Sequence, residues 1–312
     1  MPGAPARTTG VYSPRDLLAA ALAPSSKRSY QHAWKTFISF AQTHERIPFP
    51  ADQSTIVNFV TYLFNQGRAC SSIKSTLSAI GYFHKLSNLP DPTKSYLVSK
   101  LLIGASNLRQ TEDTRLPILP HTLKKLIGVI ESVERDPYTI IMFKAIYLLM
   151  FYAFLRISEI AVPNRSKLTD VLKLNDIKLF ASNGRLTSMS VKFSNFKHHS
   201  GKPITIKIRA RNSPLCPVAA LANYLHVRGN TPGPLFRTSR NTPLTTYAFS
   251  KTFKATLNHS NLDPTLYKAH SFRIGAATSC AQKGVPFDVI RRLGRWKSDA
   301  FIHYIRTATY TY

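Results

Sequence analysis

The chain has 312 residues, 44% of them apolar, which supports a buried core and excludes wholesale disorder. Lysine and arginine total 42 against 15 acids, a formal charge of +27. That balance excludes an acidic solvating protein and points to a polyanionic partner, nucleic acid ahead of a membrane surface or a ribosomal-type role. The size fits one large domain or two ordinary ones.

Residues 1–13 read as a loose tail. From Ser25 to His44, Tyr30, Trp34, Phe37 and Ala41 recur at helical intervals. "QSTIVNFVTYLFNQG" and "SSIKSTLSAIGYFHKL" repeat the pattern, and a further helix is predicted over Thr93–Gly104. Residues 14–107 therefore read as an all-helical bundle. Its polar faces carry Arg28, His32 and Lys35 on one side and Lys74, Ser78, Gly81 and Lys85 on another. Small and cationic residues on one face suit close approach to a phosphate backbone, and equally an ordinary solvated surface.

"NLRQTEDTRLPILP" (Asn107–Pro120) is polar and ends in two prolines, which predicts a linker over 108–118. A second domain, 119–312, follows. It opens with a helix near His121–Arg135 and an apolar helix ending near Ile160. The apolar run Ala145–Leu155 is 11 residues long, too short for the ~20 that a membrane span needs, so it reads as a buried helix. "DIKLF", "LTSMSVKFS" and "ITIKIRA" predict three short strands with turns at Ser182–Gly184 and His199–Gly201. Beyond Pro217 the pattern is mainly helical to Tyr304. The expected fold class is mainly α with one small antiparallel sheet, in two domains.

Basic residues outnumber acids throughout: 12 against 4 in residues 1–110, 30 against 11 in residues 111–312. Both halves are thus suited to grip one partner. Cys70, Cys216 and Cys280 are few, odd in number and far apart, which fits a reducing compartment and neither a disulfide framework nor a zinc site. The first residues show no charged-then-apolar signal pattern.

There is no Walker loop, no GxGxxG and no metal-ligand spacing. Scarce acids argue against a two-metal nuclease. Phosphodiester chemistry would then need a side-chain nucleophile, cations, and a proton donor and acceptor, with no metal or cofactor. "LRISEI" places Arg156 three residues before Glu159, which could orient the guanidinium on one helix face. "HSFR" gives His270 and Arg273 the same spacing. Two arginine forks can hold the two non-bridging oxygens of one phosphate, and losing one such charge-stabilising group costs ~3–4 kcal/mol of barrier. Taken singly, an arginine after an apolar run is usually a helix-end charge, and a lone histidine usually a satisfied one.

Over roughly residues 14–312 the chain resembles the tyrosine recombinases of the phage integrase family. The resemblance rests on "FLRISEI", "HSFRIGAAT" and "LGRWKSDAFIHYIR", in that order. The last two are worded most like the recombinases of eukaryotic mobile elements, the DIRS-like and Crypton groups. The resemblance implies that residues 14–107 are a core-binding domain for double-stranded DNA and that 119–312 are catalytic. Tyr304 would attack a DNA phosphate, forming a 3′-phosphotyrosine and releasing a 5′-hydroxyl. Tyr310 and Tyr312 are its rivals, but "HYIR" puts Tyr304 in register. Arg156 and Arg273 would clamp the phosphate, and His270 would serve as acid/base or hydrogen-bond donor. The family's lysine sits on a β-hairpin, where Lys197 is preferred over Lys192 and Lys202. Most members carry His or Trp nine residues before the nucleophile. Here Arg295 lies at nine and Trp296 at eight; Trp296 is preferred, since an indole N–H can bind phosphate, with Arg295 as a cationic alternative or a support.

The implied activity is site-specific DNA recombination or integration, by a clamp around the duplex and a tetrameric synapse. Alternatives are a type IB topoisomerase-like nicking and resealing enzyme, or a domesticated DNA-binding protein. A eukaryotic source would place the work in the nucleus, and any other source in the cytoplasm, on DNA.

Overall fold

The computed structural model describes residues 11–109, 113–163, 171–194 and 203–306. The chain divides into two compact units, Met1–Asp113 and Thr114–Tyr312.

The first unit is helical: α1 (Pro14–Ala20), α2 (Pro24–Thr43), α3 (Gln53–Asn65), α4 (Cys70–Leu86) and α5 (Tyr96–Leu108). Asp52 caps α3 by accepting the Thr55 N–H, and Ser95 caps α5 through Val98. Ser25 caps nothing; α2 starts one residue earlier, on Pro24 at the first helical position. The apolar faces read from the periodicity meet in one core of Phe37, Phe40, Ile56, Phe59, Leu77 and Ile80. Phe59 packs against Phe37 and Phe40 with ring centroids 5.0 and 4.9 Å away.

Arg28, His32, Lys35, Lys74, Ser78 and Lys85 all lie exposed on α2 and α4. Gly81, however, serves another purpose than close approach to phosphate. A Cβ there would lie 2.6 Å from the carboxylate of Asp91, which the chain folds back over α4. Lys85 pairs with the same carboxylate at 3.2 Å. Burial works to raise the Asp91 carboxyl, but hydrogen bonds from Thr93 and the Lys85 ammonium outweigh it and hold the group below its ordinary range.

The second unit holds α6 (Pro120–Gly128), α7 (Ile130–Val133), α8 (Pro137–Tyr152), α9 (Ile157–Ile160), β1 (Ile177–Ser182), β2 (Arg185–Phe193), β3 (Ile204–Arg209), α10 (Pro217–Arg228), α11 (Thr246–His259), α12 (Ser271–Gln282) and α13 (Phe287–Gly294), then a 3₁₀ helix, Asp299–Tyr304. The strands form one antiparallel sheet in the order β1-β2-β3, with Val191 opposite Ile177 on one side and Ile206 on the other. The architecture is mainly α with a small antiparallel sheet, as the strand and helix patterns predict. No helix among the described residues is long and apolar enough to cross a membrane.

α8 is the core of this unit: Met142, Phe143 and Ala145 through Phe151 are all buried. It ends at Tyr152, eight residues before the end predicted from sequence. The stop is a Schellman-type turn, with the Leu155 N–H donating to the Met150 carbonyl and Phe154 left-handed at φ 51°. Glycine usually fills that position; a phenylalanine there carries no sequence signal and costs about 1–2 kcal/mol of strain. α13 ends the same way, with Arg295 at φ 56° and the Trp296 N–H donating to Arg291.

Candidate active site

Arg156 follows the α8 turn. It is not on a shared helix face with Glu159, as the spacing predicts, but has extended backbone and begins α9. Glu159 turns back onto it: Oε2 accepts from the Arg156 backbone N–H at 2.8 Å and Oε1 from Nη1 at 3.1 Å. The predicted pair is present, built as a capping turn. Glu159 Oε2 also accepts from Arg295 Nη2 at 2.8 Å. A buried carboxylate thus lies between two guanidiniums, which compensates its loss of solvation.

The Arg295 side chain is 0% exposed. It donates to the carbonyls of Ala153 and Phe154 and lies over the Phe193 ring at 3.7 Å. Burial pulls its guanidinium below the ordinary range, with Glu159 working in the opposite direction. These contacts leave no exposed cation at the position nine residues before Tyr304.

Arg273 is fully buried on α12. Nη1 donates to the Phe154 carbonyl and Nη2 to Gly294 O at 2.9 Å, while Nε is buried with no partner among the described residues. Both Nη atoms of Arg273 are thus turned to main-chain carbonyls. Arg156 keeps 18% side-chain exposure. Burial, with the charges of Arg156 and Arg295, brings the Arg273 guanidinium down to about 9, still charged at neutral pH. The strained Phe154 backbone aims one carbonyl at both buried arginines.

The Trp296 ring lies 4.3 Å from the Arg273 guanidinium, a cation–π contact, and 5.5 Å from the Tyr304 ring. Gly294 makes room for it: a Cβ there would lie 1.5 Å from the indole. His270 has helical backbone at the start of α12, and its carbonyl accepts from the N–H groups of Arg273 and Ile274. Its ring centroid is 4.8 Å from that of Tyr304. Tyr304 ends the 3₁₀ helix, half-buried between these rings.

The structure thus brings Arg156, Glu159, His270, Arg273, Arg295, Trp296 and Tyr304 together. Lys197, Lys202, Tyr310 and Tyr312 lie outside the described residues. Lys192 is exposed on β2, on the face opposite its buried neighbours Val191 and Phe193. The predicted DNA-facing residues belong to the first unit, where His32 lines a groove of about 380 Å³ with Arg68, Ser71, Ser72 and Ser75. Among the described residues no three or more His, Cys, Asp or Glu side chains group as metal ligands would. Sequence reasoning missed Phe154 and Thr278, although the first opens the motif "FLRISEI" and the second closes "HSFRIGAAT".

Residues 118–310, more than half of the chain, match the phage integrase family model. The chain belongs to the phage integrase family, the tyrosine recombinases. It is 27% identical over 298 residues to an integrase/recombinase xerD homolog of Selenomonas ruminantium, covering 90% of this chain and 81% of that one. It is 25% identical over 299 residues to recombinase cre of Escherichia phage P1, covering 88% and 84%. In fold it is similar to the Tn1549 transposon integrase solved with transposon right end DNA, at a TM-score of 0.63, 14% identity, and coverage of 94% and 93%.

Proposed function

We propose that this chain is a site-specific DNA recombinase or integrase that cleaves and rejoins double-stranded DNA through a phosphotyrosine at Tyr304. The observation that carries the reading is the packing of a half-buried Tyr304 ring against His270 and Trp296, with Arg273 beneath Trp296. The family membership and the DNA-bound relative support the substrate.

In the forward step the Tyr304 oxygen attacks phosphorus and the bond to the 5′-oxygen breaks. The phenol proton leaves to His270 or solvent, and the departing oxygen takes a proton, for which Lys197 is the assigned donor. A 5′-hydroxyl of another strand reverses the step. Since the phosphotyrosine keeps the energy of the broken ester, rejoining needs no nucleotide. Arg156 offers the accessible fork, and Arg273 adds positive potential from a low-dielectric position, where it acts more strongly on developing charge than it would in water. Glu159 and Arg295 hold Arg156. Trp296 covers Arg273 and offers its indole N–H to the phosphate.

The sequence resemblance supports assembly of four copies on two duplexes and kinship with the DIRS-like and Crypton recombinases; a eukaryotic source would place the work in the nucleus, and any other source in the cytoplasm, on DNA. The exposed Arg28, His32, Lys35, Lys74, Ser78 and Lys85 are assigned to the DNA backbone.

A nicked suicide duplex tests the chemistry. Wild-type protein is expected to form a covalent adduct that survives denaturation, and Tyr304→Phe none. An adduct that persists in Tyr304→Phe removes Tyr304 as nucleophile.

A further inference from the structure

Hydroxyls inside the helices of this chain mostly turn back on their own helix. Those of Thr36, Thr61, Thr76, Ser78 and Thr256 each donate to the carbonyl four residues earlier. Thr278 does otherwise. It is 1% exposed on α12, and its Oγ1 donates to the Tyr304 carbonyl at 3.2 Å while accepting from the Arg306 N–H at 3.0 Å. Both partners lie on the segment that carries the phenol. Tyr304 is the last residue of the 3₁₀ helix, a position whose carbonyl needs a partner from outside the helix, and the Thr278 hydroxyl donates to it. α12 itself bears Arg273 and follows directly from His270. One helix therefore fixes the arginine, the histidine and the main chain of the tyrosine.

We propose that Thr278 is a positioning residue for strand cleavage: its single hydroxyl clips residues 304–306 to α12 and so sets where the Tyr304 oxygen meets the phosphate. The proposal rests on Tyr304 being the nucleophile. A misplacement of about 1 Å can cost on the order of 10²-fold in rate, so two hydrogen bonds on the nucleophile's own backbone are well placed to matter.

The test compares wild type, Thr278→Val, which keeps the shape and loses both bonds, and Thr278→Ser, which keeps the hydroxyl. Single-turnover adduct formation is measured on the nicked duplex at saturating DNA, with duplex Kd and melting temperature alongside. Thr278→Val is expected to slow adduct formation about tenfold or more with Kd within about twofold of wild type, and Thr278→Ser to recover most of the rate. If Thr278→Val does not fold, Thr278→Ser against Thr278→Ala at matched melting temperature decides in the same way. Wild-type rates in the variant lacking the hydroxyl, or equal losses with and without it, overturn the proposal. Peptide mapping of the wild-type adduct separates the two layers. An adduct absent or mapped to another residue overturns the nucleophile and this proposal together, whereas an adduct at Tyr304 with Thr278→Val unaffected overturns this proposal alone.

Discussion

Arg295 and Trp296 are adjacent in sequence, yet one is sealed in the core and the other faces the nucleophile. The Arg295 guanidinium shares Glu159 with Arg156 and directs its other bonds to the carbonyls that end α8, with its flat face on Phe193. Replacing it by methionine leaves a buried carboxylate with one partner fewer, a change that costs about 3–5 kcal/mol. For a unit of this size that loss corresponds to a melting point roughly 6–20 °C lower. Trp296→Phe keeps an aromatic face over Arg273 but lacks the N–H. It is expected to melt within a few degrees of wild type and to form adduct roughly 10²-fold more slowly, the effect of losing one donor to developing charge. Thermal melts and adduct rates check both. A stable Arg295→Met protein that binds DNA but does not cleave would instead put Arg295 on the phosphate.

Among the elements, α12 has the most demanding surroundings. The segment 116–118 runs alongside it, with the Leu116 N–H donating to Leu266 and the Ile118 N–H to Ser271. That approach is possible because residue 275 has no side chain: a Cβ there would lie 1.9 Å from the Ile118 carbonyl oxygen. Gly275→Ala sets backbone against backbone, where neither side has a flexible end to move. Overpacking of this kind costs about 1–3 kcal/mol, so the melting point should fall by several degrees. Adduct formation should slow as well, since His270 and Arg273 shift with the helix; an unchanged melt and rate would show that the crossing yields freely. The same elements show what a sequence can reveal. Periodicity finds α2, α3, α4 and the three strands because their apolar faces are continuous and their own residues bury them. The site words are legible because Arg156–Glu159, His270–Arg273 and Trp296–Tyr304 are each local. What stays hidden is non-local or runs against propensity. α8 and α13 stop on Phe154 and Arg295 in a conformation that usually announces itself with glycine. Gly81 and Gly275 look like generic small residues until Asp91 and Ile118 are seen lying over them. Thr278 closes the motif "HSFRIGAAT", but its partners lie 26 and 28 residues away.

At the scale of the whole molecule, the charge of +27 divides into two populations with different physics. Among the described residues most cations are exposed, Arg28, Lys35 and Lys74 among them, whereas Arg228, Arg237, Arg273 and Arg295 are buried. Exposed cations bind DNA by releasing its counterions, so duplex affinity should fall steeply with salt; six to ten neutralised phosphates correspond to a loss of about 10³–10⁵ between 50 and 200 mM. Buried charges lie beyond the reach of mobile ions and are screened far less. The chemical step, measured as adduct rate at saturating DNA, should therefore change little over the same range. Joint replacement of Arg28, Lys35 and Lys74 by glutamine should flatten the salt dependence of binding, by up to about 0.9 in slope for each phosphate no longer neutralised, and leave the saturated rate untouched. Titrations by fluorescence anisotropy over a series of salt concentrations, paired with single-turnover cleavage, separate the two populations. A saturated rate that falls with salt as steeply as the affinity would mean that the chemical step depends on exposed cations, the accessible Arg156 fork among them, more than on the buried Arg273. A triple variant with unchanged slope would remove those three residues from the DNA interface.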